Sequence, residues 1–405
     1  MARPSFAPAN LLFAVLRSNL LSSVWPLGSP RSKEAMRDPD MTRLRGLESK
    51  PQPDWEGLIA NILRRGTPRR VYHLELFHDA EVADAIAARF SLLGGVLRDD
   101  PHYEHKRLIA VNRFCGFDYV PARLLGLDLA MFRATVEDTA GLKRAGGRAF
   151  QDEHRGPIMT WEDFEKFPWP DPGAPAAGAE LEWFQENLPD DMCILARGTG
   201  HFCEYLAWLM GYETLCFALY DQRDLVRAIA ARLADLYRAV MKRVLEFDRV
   251  RAVFASDDMG FKTGLLFSPR DMREFVLAGH REQAAMAHAA GRPYLLHSCG
   301  KLADIMDDLV DDVQIDAKHS FEDTIEDVRE VKKTYGRWIA LLGGIDMDFL
   351  CRADEEAIRS RTRETLQVCL PGGGYCLGTG NTVANYIPLD HYLAMVDEGR
   401  LYGRV

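Results

Sequence analysis

His297 and Cys299 stand one residue apart in the segment YLLHSCGKLADI, residues 294–305. The segment begins as an apolar run and reaches a glycine directly after the cysteine, so we predict a strand that ends in a turn. Side chains at positions i and i+2 of a strand point to the same face. Because imidazole nitrogen and thiolate sulfur are both zinc ligands, the pair predicts a metal site that needs at least one more ligand.

Eight short apolar segments are predicted as strands, because they are rich in β-branched and aromatic residues, as strands buried on both faces are. They cover residues 70–76, 117–122, 192–198, 250–256, 292–298, 313–320, 337–344 and 373–379. Amphipathic helical stretches separate the last six, and residues 221–247 are the longest example. The alternation predicts an α/β fold, a (β/α)8 TIM barrel. No G-x-G-x-x-G motif opens a helix, which argues against a dinucleotide-binding fold.

Two regions depart from the alternation. Residues 121–190 are rich in Pro, Gly and Ala and contain no strong strand, so we predict an insertion after the second strand that forms a surface loop and a lid. Residues 1–45 carry only a short apolar stretch, without a clean signal-peptide cleavage site. We expect them to be a disordered or mis-started extension, and residues 55–403 to be the barrel.

The barrel gives the candidate residues a common location. Active sites of these folds form at the carboxyl ends of the strands. His297 and Cys299 lie at that end of the fifth predicted strand, Asp257 and Asp258 follow the fourth, and Cys376 lies toward the end of the eighth. Three protein ligands and an open fourth position are typical of catalytic zinc. One of the two aspartates would touch metal or substrate, or both would only cap a loop.

Three further residues end predicted strands and are weaker candidates. His319 ends the sixth strand and would bind the substrate or a cofactor side chain, or serve as a structural histidine. Asp346 ends the seventh strand with the same two interpretations. Glu75 ends the first strand and is a candidate for the pocket wall.

Composition limits the class of protein. The chain has 405 residues, 47% of them hydrophobic and 27% charged, which is ordinary for a soluble globular protein. A net charge of -10 and the absence of a Lys/Arg stripe argue against a nucleic-acid partner. The eight cysteines show no disulfide-like spacing, which indicates a reducing, cytoplasmic location. We expect no membrane partner, and the oligomeric state stays open, with a homodimer as one expectation.

Five segments together resemble the uroporphyrinogen decarboxylase superfamily. They are DDMGFKTGLLFSPRDMREFV, LLHSCGKL, DAKHSFED, LLGGIDMDFL and PGGGYCLGTGNTVANYIPLDHYLAM, within residues 257–395. The resemblance covers roughly residues 55–403 and is strongest from residue 190 onward. It is closest to the branch that contains zinc-dependent methylcobamide:thiol methyltransferases and related corrinoid demethylation proteins.

That resemblance implies zinc held by His297, Cys299 and Cys376, which match the branch's H-x-C pair and distant cysteine one by one. It also implies a corrinoid such as methylcobalamin, supplied free or by a corrinoid protein, because this chain shows no corrinoid domain. The decarboxylases proper carry an R-Q-A-G-R segment near the first strand. Here that region reads RVYHLELFHDAEVADA, residues 70–85, which argues against porphyrinogen decarboxylation.

Three functions follow as expectations. The first is a zinc-dependent methyltransferase that moves a methyl group between a corrinoid and a thiol, a folate or a methylated small molecule. The second is a decarboxylase acting on a tetrapyrrole or a smaller acid, with the H-x-C pair incidental. The third is a non-catalytic module that binds zinc or a corrinoid. The identity of the methyl donor and acceptor depends on barrel loops and does not follow from one sequence.

Overall fold

The structure is a computed structural model that describes residues 44–402. Its centre is an eight-stranded parallel sheet. From the second strand to the last, strands that follow each other along the chain are neighbours, and the last strand pairs with the first. The eight strands are β1 (Tyr72–His73), β2 (Tyr119–Ala122), β5 (Cys193–Ala196), β6 (Val250–Ser256), β9 (Tyr294–His297), β10 (Ala317–His319), β11 (Ala340–Leu342) and β12 (Tyr375–Leu377). Each lies inside one of the eight predicted segments. The order and the parallel direction are those of an α/β fold of the TIM-barrel type.

Helices flank these strands. They are α1 (Trp55–Ile62), α2 (Ala80–Arg89), α3 (Tyr103–Cys115), α4 (Trp161–Lys166), α5 (Ala179–Asn187), α6 (Phe202–Met210), α7 (Tyr212–Asp221), α8 (Arg223–Val244), α9 (Pro269–Asp271), α10 (Ala278–Ala289), α11 (Val328–Tyr335), α12 (Met347–Arg352), α13 (Glu355–Cys369) and α14 (Leu389–Tyr402). A π-helical turn, Met272–Leu277, joins α9 to α10. No helix in the described part of the chain is long and apolar enough to cross a membrane.

The helices pack on the sheet through their apolar faces. In α8 the residues at helical spacing, Leu225, Ile229, Leu233 and Leu236, are all buried, as their pattern predicts. The strands are buried along their whole length in β5, β9, β10, β11 and β12. This is expected for a parallel sheet covered on both faces.

The strand ladder is not continuous around the circle, because β1 and β2 form its two ends. One side chain bridges the gap. The buried hydroxyl of Tyr119 donates to the Glu75 carbonyl at 2.8 Å and accepts from the Glu75 N–H at 3.0 Å. Glu75 follows β1 and Tyr119 begins β2, so the hydroxyl satisfies backbone groups that a strand neighbour would otherwise pair.

Residues 121–190 hold more structure than their composition predicts. A short antiparallel hairpin, β3 (Arg133–Val136) and β4 (Arg148–Gln151), stands outside the main sheet and is largely exposed. The Pro-, Gly- and Ala-rich composition predicts no strong strand there, and the two exposed strands lack the apolar pattern of buried ones. Two further short strands, β7 (Gly260–Phe261) and β8 (Gly264–Leu265), form a hairpin directly after the fourth barrel strand. The predicted extension, residues 1–45, lies outside the described residues except for its last two.

Candidate metal centre

His297 is the last residue of β9, and Cys299 follows two positions later at the carboxyl end of the sheet. The backbone turns at Gly300, which has φ +87°. A Cβ at this position would lie 2.1 Å from the main-chain carbonyl of Gly260, so no side chain fits. The glycine therefore allows the loop after β6 to approach the loop that carries Cys299.

That approach brings in a third candidate ligand, Asp258, which lies two residues after the neighbouring strand β6. Asp258 Oδ1 lies 3.3 Å from His297 Nε2, and it accepts a hydrogen bond of 3.0 Å from the Cys299 N–H. Cys299 Sγ lies 3.5 Å from the same His297 Nε2. One ligand atom of each residue lies within 4.8 Å of the other two. We call Asp258, His297 and Cys299 the triad.

The spacing of the triad fits one small cation. In a tetrahedral site with bonds of about 2.1 Å, ligand atoms are separated by about 3.4 Å. The two contacts of His297 Nε2, at 3.3 and 3.5 Å, are close to that value. The His297 side chain is only 4% exposed, whereas that of Asp258 is 40% exposed. The triad is therefore anchored in the interior and open toward the barrel mouth on one side.

The protein environment shifts the pKa values of Asp258 and Cys299 in opposite directions. Burial raises the pKa of Asp258, but hydrogen bonding and charge from the His297 ring and the Cys299 N–H outweigh it and lower this pKa to about 2. Burial and the nearby Asp258 carboxylate raise the pKa of the Cys299 thiol. Without a cation, the site thus holds one carboxylate and one neutral thiol. A divalent cation would displace the thiol proton and be neutralised by the two anionic ligands.

His319 orients His297. The two side chains stand side by side on paired strands, and their Nδ1 atoms lie 2.8 Å apart. Burial, then the positive charges of His297, Lys318 and Arg197, lower the pKa of His319 far below its ordinary value. If His319 accepts the proton of His297 Nδ1, a neutral His297 ring carries its lone pair on Nε2, the atom that lies near Asp258 and Cys299. Metal-binding histidines are commonly oriented by such an acceptor.

Two polar side chains that the sequence analysis did not select contact the Cys299 sulfur. Asn381 Nδ2 donates to Cys299 Sγ at 3.1 Å, and the Ser320 hydroxyl lies 3.6 Å away. Ser320 has φ +87°, a strained conformation for a serine, and the buried Lys318 ammonium donates to its carbonyl at 2.6 Å. The only sequence signal for both residues was their position just past the end of a predicted strand.

Cys376 does not reach the triad, which corrects the ligand set expected from sequence. It is fully buried inside β12, and Asn61 of α1 donates to its sulfur at 3.5 Å. Asn381, five residues later, occupies the position beside Cys299. A strand advances about 3.3 Å per residue, so five residues can separate two side chains by up to about 16 Å. The residue predicted from the sequence lies within β12, whereas the side chain that contacts the Cys299 sulfur comes from beyond the end of β12.

Asp257 and Asp346 have structural partners instead of a place in the triad. The buried Asp257 carboxylate accepts from Cys203 N and Glu204 N in the first turn of α6, both at 2.9 Å, and lies 2.9 Å from His280 Nε2. Burial raises the pKa of Asp257 to about 7. Asp346 caps α12 by accepting from Phe349 N at 2.9 Å. Of the two adjacent aspartates, the structure places only Asp258 beside the metal-binding candidates.

Glu75 lies on the helix side of the sheet, away from the triad. Its carboxyl group accepts from the Thr379 N–H at 2.9 Å and from the Thr379 hydroxyl at 2.6 Å. It lines a cavity of about 150 Å³ together with Leu108, Val111 and Asn112 of α3. Burial raises the pKa of Glu75 to about 8, so this acid is largely protonated at neutral pH.

Comparison with known proteins agrees with this architecture. Residues 152–402 match the family described as Uroporphyrinogen decarboxylase (URO-D). No curated protein matches the chain significantly. The matched region begins directly after β4 and contains all three triad residues. Because the match extends over more than half of the sequence, the chain belongs to the uroporphyrinogen decarboxylase family.

Proposed function

We propose that this protein is a zinc-dependent methyltransferase of the uroporphyrinogen decarboxylase family, which moves a methyl group between a corrinoid and a small molecule. A thiol is the acceptor we favour; a folate or a methylated small molecule is the alternative. The observation that carries the proposal is the convergence of the triad on one point at the carboxyl end of the sheet, with its Asp258 side open. Catalytic zinc requires such an arrangement of three ligands and one free position.

In the proposed reaction, different residues bind the metal, orient its ligands and exclude water. Asp258, His297 and Cys299 would hold zinc, which when bound stabilises the thiolate form of a thiol substrate at neutral pH. His319 keeps His297 in the ligating tautomer, and Asn381 donates to the Cys299 sulfur, which limits the negative charge on that ligand. The buried strands β9 and β10 exclude water from the inner side of the site. The methyl group would come from methylcobalamin or a corrinoid protein that reaches the barrel mouth.

The first experiment measures metal content in matched variants. Purified wild type should hold about one zinc per chain. Cys299→Ser should lose most of it, whereas Cys376→Ser should keep it, because Cys376 is equally a cysteine but is packed against Asn61. Equal zinc in all three proteins, or loss in Cys376→Ser alone, would contradict the triad.

The second experiment measures the reaction. Zinc-loaded protein is mixed with methylcobalamin and a panel of thiols and folates, and the corrinoid spectrum is followed for loss of the methyl group. We expect transfer in wild type that disappears on chelation and in Cys299→Ser. Zinc binding without transfer to any acceptor would favour the binding module. A decarboxylase would instead release CO2 from a carboxylic acid substrate, and its activity would survive removal of the metal.

A further inference from the structure

Ser320 has a backbone conformation that is unusual for its place in the fold. It directly follows β10 and has φ +87°. Three other non-glycine residues among those described have a positive φ, namely Arg64, Ser91 and Gln314, and each follows a helix, where this conformation is common. At the end of a strand it is unfavourable for a residue with a Cβ, and it persists only where neighbouring groups hold it.

The positive φ changes the side to which the serine hydroxyl points. In a regular strand, the side chains of residues i and i+2 lie on the same face. Ser320 would then share the face of Lys318, whereas the intervening His319 faces the His297 ring. Instead, the Ser320 hydroxyl lies 3.6 Å from Cys299 Sγ, which itself lies 3.5 Å from His297 Nε2. The strained conformation therefore places this hydroxyl on the side of the triad.

The Lys318 ammonium contacts the backbone at the strained position. Its Nζ donates to the Ser320 carbonyl at 2.6 Å and lies 4.1 Å from the centre of the Phe321 ring. Glu326 Oε2 lies 3.8 Å from the same Nζ. Because it contacts both the carbonyl of Ser320 and the side chain of the next residue, the ammonium fixes the backbone directly after Ser320.

A lysine at this position is not explained by packing. Its side chain is only 2% exposed, and burying an ammonium group is unfavourable. Burial accordingly lowers the pKa of Lys318. An unbranched apolar side chain of similar length would fill the space without this penalty. What the lysine adds to packing is its hydrogen bond to Ser320.

We propose that Lys318 is a positioning residue, which holds Ser320 in its strained conformation and so keeps the Ser320 hydroxyl directed at the Cys299 sulfur. This inference rests on the zinc site of the proposed function, but not on the reaction proposed for it. Hydrogen bonds to a thiolate ligand reduce its negative charge and tune the metal that it binds. Lys318 acts on the metal ligand only through the serine.

The test uses cobalt(II) in place of zinc as a spectroscopic probe, and it records the charge-transfer band from thiolate to cobalt. A hydrogen bond lowers the energy of the sulfur lone pairs, so its loss shifts this band to longer wavelength. Ser320→Ala removes the hydroxyl and leaves the lysine contact in place, whereas Lys318→Met removes the ammonium. We expect both variants to show the shift, and to bind zinc about tenfold more weakly in competition with a chromophoric chelator.

The double variant tests whether the lysine acts through the serine. Adding Lys318→Met to Ser320→Ala should shift the band no further, because the hydroxyl is already absent. If Lys318→Met alone does not fold, Lys318→Met combined with Ser320→Gly should fold, because glycine adopts a positive φ without strain.

Lys332→Met is the matched control. Lys332 Nζ also donates to a backbone carbonyl, that of Gly373, at 2.5 Å, and Gly373 also has a positive φ of +75°. This contact precedes β12 and therefore lies at the opposite end of the sheet from the triad. The control variant should keep the wild-type band.

Several results would overturn the inference. They are an unchanged band in Ser320→Ala or in Lys318→Met, an equal shift in the Lys332→Met control, and a lysine effect of the same size with and without the Ser320 hydroxyl. Failure of Ser320→Gly to restore folding to an unfolded Lys318→Met chain would also overturn it. A wild type that binds zinc and transfers methyl groups, with variants of unchanged band, removes only this inference. A wild type that binds neither cobalt nor zinc overturns the proposed function as well.

Discussion

Glu75→Gln is expected to change how the stability of the protein depends on pH. The Glu75 side chain is buried, and its two oxygens accept from the N–H and hydroxyl of Thr379. Because burial raises its pKa from 4.5 to about 8, the folded protein keeps a proton that the unfolded chain has already lost at neutral pH. A glutamine has the same shape as the protonated acid, accepts from the Thr379 N–H and donates to its hydroxyl.

The size of the effect follows from proton linkage. For an acid with a raised folded-state pKa, the contribution to stability is fully present below the unfolded pKa and is lost as pH rises through the folded one. Between these two pKa values, each unit of increase in pH lowers the free energy of unfolding by about 1.4 kcal/mol. From pH 5.5 to 7.5 the free energy of unfolding should therefore fall by about 3 kcal/mol more in wild type than in Glu75→Gln.

Urea denaturation at pH 5.5, 6.5 and 7.5, followed by tryptophan fluorescence, measures this difference. Comparing two variants at each pH removes the contributions of other buried acids, such as Asp257, whose raised pKa acts in the same direction in both. Glu162→Gln, on the exposed face of α4, is the control and should behave as wild type. Parallel pH profiles for wild type and Glu75→Gln, or wild-type stability that rises relative to the variant, would refute the reasoning.

Three further outcomes are expected. His319→Phe keeps the core filled but removes the acceptor for the neighbouring ligand histidine, and should weaken zinc binding about 10- to 100-fold in competition with a chromophoric chelator; unchanged affinity would contradict the orienting function. Gly300→Ala places a Cβ 2.1 Å from a facing carbonyl and should displace Cys299, so zinc content and melting temperature should both fall. Arg70→Met leaves the buried Asp118 carboxylate without its cation and should cost about 3 kcal/mol in urea denaturation; a neutral result would mean that Asp118 is uncharged in the fold.

The strands were predictable because their signal is local. Each of the eight barrel strands lies within a predicted segment, since strands buried on both faces need continuous apolar residues. The hairpin β3–β4 was not predictable in this way, because its exposed strands carry no apolar pattern. The contribution of Tyr119, which bonds both backbone groups of Glu75 across the gap in the ladder, depends on two segments 44 residues apart.

In the candidate site, the sequence by itself determined the H-x-C pair. The alternation of side chains along a strand places His297 and Cys299 on one face, and the glycine after them marks the turn. The sequence also predicted that the candidate residues lie at the carboxyl ends of parallel strands, which share one end of the sheet. The sequence did not determine which of the two adjacent aspartates is the third candidate ligand. In the structure Asp258 lies beside His297, whereas Asp257 lies beside His280.

Only the tertiary structure decided which side chains stand around that pair. Cys376 lies within β12, where it is buried against Asn61, whereas Asn381 comes after the end of β12 and contacts the Cys299 sulfur. Glu75 was predicted to end the first strand, but it lies two residues beyond β1, and its carboxyl group accepts a hydrogen bond from the Thr379 hydroxyl. The sequence gives the type and spacing of residues within one segment. A set of metal ligands comes from several loops, and the relative positions and orientations of those loops are defined only when the barrel folds.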